Sequence, residues 1–126
     1  MGNYANNKLT APKIASKYHN RKTIIDNIRF DSKKEATKYQ ELKLMQLDHG
    51  PDGVKSFRLQ PRFELQPAFE KDGQKYRKIE YVADFDVTYN NARREIIDVK
   101  GISTAIFKLK SKLWDYRYPD LTLIIE

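Results

Sequence analysis

The chain has 126 residues, of which 40% are hydrophobic and 33% charged, and its formal net charge at pH 7 is +7. This length fits one domain with one core. The lack of a long apolar run argues against a membrane span or a signal peptide, so we expect a cytoplasmic protein. With no cysteine and only His19 and His49 as histidines, disulfides and cysteine-based zinc sites are excluded, and any bound metal should be ligated by oxygen.

The first 22 residues carry basic side chains with no Asp or Glu, and they are poor in large apolar residues. Such a segment predicts a flexible basic arm that could lie along DNA phosphates, although a simple solvated tail has the same composition. We expect residues 23–126 to form a single domain. The basic residues of the arm are Lys8, Lys13, Lys17, Arg21 and Lys22.

The first predicted elements are a strand, a helix and a meander. A short strand is expected over residues 23–30. Good helix formers between an N-cap at Ser32 and a stop at Gly50 predict a helix over about residues 32–48. Period-two alternation, with Gly and Asn at the turns, predicts an antiparallel meander over residues 54–100.

A second helix is expected within residues 103–120, and residues 121–126 should form a last strand. A strand, a helix and a further strand predict a right-handed crossover, which places the last strand parallel to residues 95–100. The expected fold is an α/β sandwich of order αβββαβ, with a mixed sheet flanked by two helices. The apolar stripe that we predict to face the core consists of Ile106, Leu109, Leu113 and Tyr116.

Acidic residues interrupt the two strands that should form the best core. Alternation places Asp84 and Asp86 on one face of their strand and Tyr81 on the other, and it places Asp98 and Lys100 together on the next strand. Close carboxylates repel each other unless a cation binds between them, and hard cations prefer oxygen ligands. The pattern favours a metal site for phosphodiester hydrolysis, but solvated sheet faces carry the same residue types.

A third acid lies on the first helix. Glu35 projects from its first turn, at the edge of the apolar stripe of Tyr39 and Leu42. It could complete the metal site. Residues 32–35 also fit a capping box, in which the glutamate only closes the helix start, and the sequence leaves both interpretations open.

These residues resemble the PD-(D/E)XK nuclease superfamily, whose pattern is an acid on the first helix, an Asp on a strand and an acid-x-Lys on the next strand. The αβββαβ order is also the core order of that restriction-endonuclease-like fold. Ala83 stands where the superfamily often has proline, and Asp98 stands where Glu is more usual. The segments FDSKKEATKYQELK, LQPRFELQP, YVADF and DVKG together resemble a family of small phage and prophage proteins grouped with these nucleases.

The resemblance implies a magnesium- or manganese-dependent endonuclease that hydrolyses DNA. Enzymes of this kind often act as homodimers on branched DNA, such as Holliday junctions, in phage replication or recombination. Asp84, Asp98 and the backbone carbonyl of Val99 would bind the metal. Lys100 would orient or deprotonate the attacking water, and Glu35 would hold a second metal or a metal-bound water.

The site requires a particular hairpin register. A two-residue loop at Asn90 and Asn91 would set Asp84 opposite Ile97, on the other face of the sheet from Asp98. A three-residue loop would set Asp84 opposite Asp98, with an asparagine able to take the left-handed conformation. We therefore predict a three-residue loop or a bulge.

The second helix carries Lys108, Lys110 and Lys112, which could contact a DNA backbone beside Phe107 and Trp114. Packing of the two aromatic side chains in the core or at a dimer interface is the alternative. The main rival to the nuclease is a non-catalytic nucleic-acid-binding protein on a nuclease-like fold. A second rival is a protein-interaction module whose charge only confers solubility.

Overall fold

The computed structural model describes residues 22–99 and 103–126, which divide between a first unit ending at Leu42 and a second unit from Lys43 to Glu126. No helix in these two stretches is long and apolar enough to cross a membrane.

The first unit begins with a tight hairpin. Strand β1 (Thr23–Ile25) pairs antiparallel with β2 (Ile28–Phe30), and the turn residues Asp26 and Asn27 have φ of 53° and 64°. Two consecutive left-handed residues form a type I′ turn, and Asp and Asn adopt this conformation more readily than most residues. The single strand predicted over residues 23–30 is therefore a hairpin.

The first helix, α1 (Lys33–Met45), starts where the sequence predicts and ends slightly earlier. Its N-cap is Ser32, whose Oγ accepts a hydrogen bond of 3.1 Å from the Glu35 N–H. Tyr39 packs against Phe30, with ring centroids 5.0 Å apart, and donates a hydrogen bond of 2.8 Å to Asp26. These contacts fasten the helix to the hairpin within the first unit.

The strands of the second unit are β3 (Val54–Leu59), β4 (Arg62–Gln66), β5 (Phe69–Lys71), β6 (Gln74–Tyr76), β7 (Ile79–Val82), β8 (Phe85–Tyr89), β9 (Arg94–Asp98) and β10 (Thr122–Ile125). Four of them form a mixed sheet of order β10-β9-β8-β3. Strand β3 runs antiparallel to β8, β8 antiparallel to β9, and β9 parallel to β10, with helix α2 (Ala105–Arg117) between the last two in sequence. The described residues thus form a mixed α/β structure with a mixed sheet and two helices, and the predicted parallel final strand is confirmed.

A bend separates the pair β3–β8 from the antiparallel pair β4–β7. Gln60, directly before Pro61, has a φ of 47° at the bend. The ladder nevertheless continues, because the Gln60 N–H donates to the Asp84 carbonyl at 2.9 Å and the Ala83 N–H donates to the Pro61 carbonyl at 3.2 Å. The bend therefore lies beside Asp84.

Helix α2 buries a different side from the one predicted. Trp114 is fully buried, and its indole N–H donates a hydrogen bond of 3.0 Å to the Leu121 carbonyl. Ile106, Leu109 and Tyr116, by contrast, are 68%, 58% and 87% exposed, so the predicted core stripe is wrong for them. Burying the tryptophan removes the largest apolar surface on the helix from water while satisfying its one donor. The cluster around it comprises Leu65, Tyr81, Ala83 and Ile96, with Phe63, Phe107 and Leu113 at its edge.

Candidate metal centre

The loop between β8 and β9 sets the register of the acidic strands. The Tyr89 N–H donates to the Arg93 carbonyl at 2.8 Å, so the loop consists of residues 90–92. Phe85 pairs with Ile97 in the ladder that follows. The regular register ends at this pair, and the Asp84 N–H donates to the carbonyl of the same Ile97 at 3.0 Å, which places Asp84 at the end of the ladder. The predicted three-residue loop is confirmed.

The left-handed residue of this loop is Ala92, with a φ of 72°, and not one of the asparagines. The asparagines anchor the loop instead. The Asn90 side chain donates hydrogen bonds of 2.8 Å to the carbonyls of Asp48 and Gly50, and Asn91 Oδ1 accepts one of 2.9 Å from the Arg93 N–H. These neighbouring contacts hold Ala92 in its strained left-handed conformation.

Asp84 is fixed by hydrogen bonds on three sides. Its N–H donates to the Ile97 carbonyl at 3.0 Å, and its carbonyl accepts from Gln60 across the bend. Its carboxylate crosses to the neighbouring strand, where Oδ2 accepts a hydrogen bond of 2.6 Å from the Val99 N–H. The Asp84 carboxylate therefore lies beside the peptide unit that follows Asp98.

Asp98 is almost completely buried, at 2% exposure. Its Oδ2 accepts a short hydrogen bond from the Tyr81 hydroxyl, and its carbonyl accepts one of 2.9 Å from the Glu126 N–H. The Tyr81 ring packs edge-on against Trp114, with centroids 5.6 Å apart. The aromatic core thus aims the hydroxyl that orients Asp98.

The electrostatics of Tyr81 reflect both aspartates. Burial, the hydrogen bond to Asp98, and the negative charges of Asp98 and Asp84 together raise the pKa of Tyr81 well above its ordinary value. The hydroxyl consequently stays protonated and acts as a hydrogen-bond donor to the carboxylate throughout the physiological pH range.

Strict alternation assigned Tyr81 to the wrong face. Its hydroxyl reaches Asp98, and its ring packs with Ile96, which lies opposite Asp86. The alternation is interrupted because β7 ends at residue 82 and β8 begins at residue 85, next to the bend. A side chain expected on the far face therefore joins the acidic face.

Asp86 is also buried, at 4% exposure, but it belongs to an ion cluster. Arg94 donates to its two carboxylate oxygens at 2.9 and 2.7 Å, and Arg58 donates to Oδ2 at 2.5 Å. The hydrogen bonds from Arg94, and then those from Arg58, hold the pKa of Asp86 below its usual value despite its burial. Asp86 is thus a structural anchor of strands β3, β8 and β9.

Two further predicted site residues, Lys100 and Glu35, stay predictions. Lys100 lies outside the described residues. Glu35 belongs to the first unit, where its N–H donates to Oγ of the N-cap Ser32. Across residues 22–99 and 103–126, no group of three or more His, Cys, Asp or Glu side chains is arranged to hold a metal ion.

The structure describes some of the predicted DNA-binding residues, and these differ in exposure. Lys22 is paired with Asp31 at 2.8 Å. Lys108 and Lys112 are exposed on α2. Lys110 is half-buried, and it lines a pocket of about 230 Å³ together with Tyr81, Val82, Thr104, Ile106 and Phe107. The remaining residues of the predicted arm, Lys8, Lys13, Lys17 and Arg21, lie outside the described part of the chain.

The donor set suits a small hard cation. The Asp84 carboxylate is bonded to the N–H of Val99, the residue that follows Asp98, so two neighbouring strands bring oxygen ligands to the same end of the sheet. Mg²⁺ is commonly bound by one or two carboxylates together with waters and substrate phosphate oxygens. Asp84, Asp98 and the Val99 carbonyl provide such oxygen ligands, so the residues present fit Mg²⁺ or Mn²⁺.

Sequence reasoning missed three residues that shape this face, namely Tyr81, Arg58 and Arg94. The arginines had a usable signal, because the three-residue loop also puts Arg94 diagonally across from Asp86. Arg58 pairs directly with Asp86 on the other side. Tyr81 had no such signal, since strict alternation fails where the strand is interrupted between β7 and β8.

The chain belongs to the family described as "Protein of unknown function (DUF1064)", whose model matches residues 15–126. No curated protein and no solved structure shows a significant match to the chain.

Proposed function

We propose that this member of the DUF1064 family is a metal-dependent endonuclease that hydrolyses DNA phosphodiester bonds on a restriction-endonuclease-like fold. The observation that carries the proposal is the hydrogen bond of 2.6 Å from the Val99 N–H to the Asp84 carboxylate, which holds Asp84 beside the residue that follows Asp98. The resemblance of these residues to the PD-(D/E)XK pattern supports the same function. We extend the proposal to branched DNA, including Holliday junctions, as the substrate class.

The proposed roles follow from the positions of the side chains. Asp84, Asp98 and the Val99 carbonyl would hold Mg²⁺ or Mn²⁺, which supplies Lewis-acid stabilisation of the phosphate and a more acidic bound water. Tyr81 holds the Asp98 carboxylate in place through its hydroxyl. Lys100, next in sequence to Val99, would position the attacking water and offset the negative charge that develops on the phosphate.

Cleavage assays test the proposal. Supercoiled, single-stranded and four-way-junction DNA are incubated with the full chain in Mg²⁺, Mn²⁺ or EDTA. We expect cleavage in either metal and none in EDTA. Asp84→Asn, Asp98→Asn and Lys100→Ala should lower the rate by about a hundredfold or more, because each removes a ligand or a charge at the reacting phosphate.

Asp115→Asn is the matched control, since it removes an exposed carboxylate on α2 outside the site. It should cleave like the wild type. A wild-type protein that binds DNA but cuts none of the three substrates in either metal would instead identify the non-catalytic nucleic-acid-binding protein.

A further inference from the structure

Strands β5 and β6 form a ribbon that stands apart from the rest of the second unit. They pair only with each other, in a separate two-stranded sheet, and every residue from 67 to 78 is exposed. The turn residues Asp72 and Gly73 have φ of 51° and 79°, as a type I′ hairpin requires. Isolated two-stranded hairpins are marginally stable in water, so a defined ribbon with no core beneath it calls for a function.

The two faces of the ribbon differ in chemistry. Register and alternation put Phe69, Tyr76, Lys71 and Gln74 on one face, which contains aromatic rings and hydrogen-bond donors and lacks a carboxylate. The other face pairs Glu70 with Lys75 and is neutral. The first face is called the aromatic face below.

The aromatic face has the elements of a strand-binding surface. The rings of Phe69 and Tyr76 are stacked, with centroids 4.8 Å apart and planes inclined by 15°, yet both residues remain 46% exposed. Exposed rings beside a lysine bind single-stranded nucleic acid, because bases stack on the rings while the cation contacts the phosphates. A cross-strand aromatic pair also stabilises a hairpin, but stability alone requires neither the exposed rings nor the one-sided charge.

We infer that the aromatic face of the β5–β6 ribbon binds unpaired bases of the DNA substrate. This inference rests on the proposed function, whose substrate class it narrows to DNA with a single-stranded or unstacked segment. The net charge of +7 on the chain complements a polyanion.

The ribbon also sets a distance from the metal centre. Tyr76 precedes Asp84 by eight residues, which span at most about 26 Å at roughly 3.3 Å per strand residue. Base pairs repeat about every 3.4 Å along duplex DNA. The unpaired bases should therefore lie within about eight base pairs of the phosphate that is cut.

Binding measurements in EDTA test the inference separately from cleavage. Fluorescence anisotropy compares a labelled fork, a duplex with two single-stranded tails, with a fully paired duplex of the same length. Phe69→Leu and Tyr76→Leu should each weaken binding to the fork by about fivefold or more, through lost base stacking, and should change duplex binding much less.

Two lysines on opposite faces provide the matched pair for this experiment. Lys71→Gln and Lys75→Gln each remove one positive charge from the ribbon, and both variants keep Phe69 and Tyr76. Lys71→Gln should weaken fork binding and lower the slope of log affinity against log salt by about one, whereas Lys75→Gln should do neither. Equal effects of the two variants, equal losses on fork and duplex, or no DNA binding by the wild type would overturn the inference.

The two proposals can fail independently. A protein that binds the fork through the aromatic face but cuts no DNA in Mg²⁺ or Mn²⁺ keeps the ribbon function and loses the nuclease. A protein that cuts DNA while all four ribbon variants bind like the wild type keeps the nuclease and loses the ribbon function.

Discussion

Asp86 and Asp98 are both buried on the acidic face of the same sheet, but their surroundings differ. Asp86 receives hydrogen bonds from the guanidinium groups of Arg94 and Arg58. Asp98 receives one from the Tyr81 hydroxyl, and the residue after it, Val99, donates to the carboxylate of a second aspartate, Asp84. The first carboxylate is held by two cations, and the second is oriented by a neutral hydroxyl.

The difference separates a structural carboxylate from a candidate ligand. A carboxylate clamped by two arginines stabilises the sheet and has little affinity left for a metal ion. Two neighbouring carboxylates can share a divalent cation such as Mg²⁺ or Mn²⁺, which prefers oxygen ligands. Burial and charge are the same in both cases, and only the partners distinguish them.

Asp86→Asn should produce the largest loss of stability on this face. It breaks contacts to two partly exposed arginines, so the free energy of unfolding should fall by about 2 to 3 kcal/mol, somewhat less than for a fully buried pair. Asp98→Asn is the comparison, since the amide oxygen can still accept from Tyr81, and it should cost about 1 kcal/mol or less. Urea unfolding measures both, and equal losses would show that the two aspartates serve the same structural purpose.

Lowering the pH should weaken the interaction of Asp86 with Arg94 and Arg58. Because the pKa of Asp86 is lowered in the folded state, its contribution to stability is complete above the unfolded value of about 4 and is lost as the pH falls through the folded pKa. The free energy of unfolding of the wild type should therefore decline below about pH 4. The Asp86→Asn variant should decline less steeply over that range, and parallel profiles would rule out Asp86 as the titrating group.

Tyr81→Phe should weaken the metal site more than the fold. Removing the hydroxyl that orients Asp98 should lower Mn²⁺ affinity about tenfold or more, as changes next to metal ligands commonly do. Tyr89→Phe is the matched control, because Tyr89 also donates to a carboxylate, that of Glu95 at 2.7 Å, but on the other face of the sheet. A titration in which both variants bind Mn²⁺ equally would remove Tyr81 from the site.

The smallest expected effect concerns the loop that sets the register. Ala92→Gly should raise the free energy of unfolding by about 0.5 to 1 kcal/mol, because glycine takes a left-handed φ without the penalty that alanine incurs. Ala68→Gly, at an exposed position with no positive φ, should give no such gain. Thermal unfolding separates the two, and a destabilised Ala92→Gly would mean that the alanine side chain has packing contacts that outweigh its strain.

The order of the elements and the register of the acidic strands could be predicted because local signals determine them. The N-cap at Ser32 and the turn at Asn90 and Asn91 each act over a few residues. Once the loop length is known, simple counting pairs Phe85 with Ile97 and brings Asp84 to the end of the same ladder.

The packing side of α2 and the position of Tyr81 could not be predicted, because both depend on contacts between distant segments. Helical spacing offers two apolar stripes on α2. The stripe with Trp114 is the buried one, because Trp114 contacts Phe63 and Tyr81 on the strands. Tyr81 reaches Asp98 where the strand is interrupted between β7 and β8, next to Gln60, whose left-handed φ no local preference predicts before a proline.

Titration of the full chain with Mn²⁺, followed by the electron paramagnetic resonance signal of the free ion, tests directly whether Asp84 and Asp98 form a metal centre. We expect saturable binding by the wild type and by Asp115→Asn. Binding should be lost in Asp84→Asn and in Asp98→Asn while both variants stay folded. Absence of binding by the wild type, or binding that survives both substitutions, would contradict a metal centre at Asp84 and Asp98.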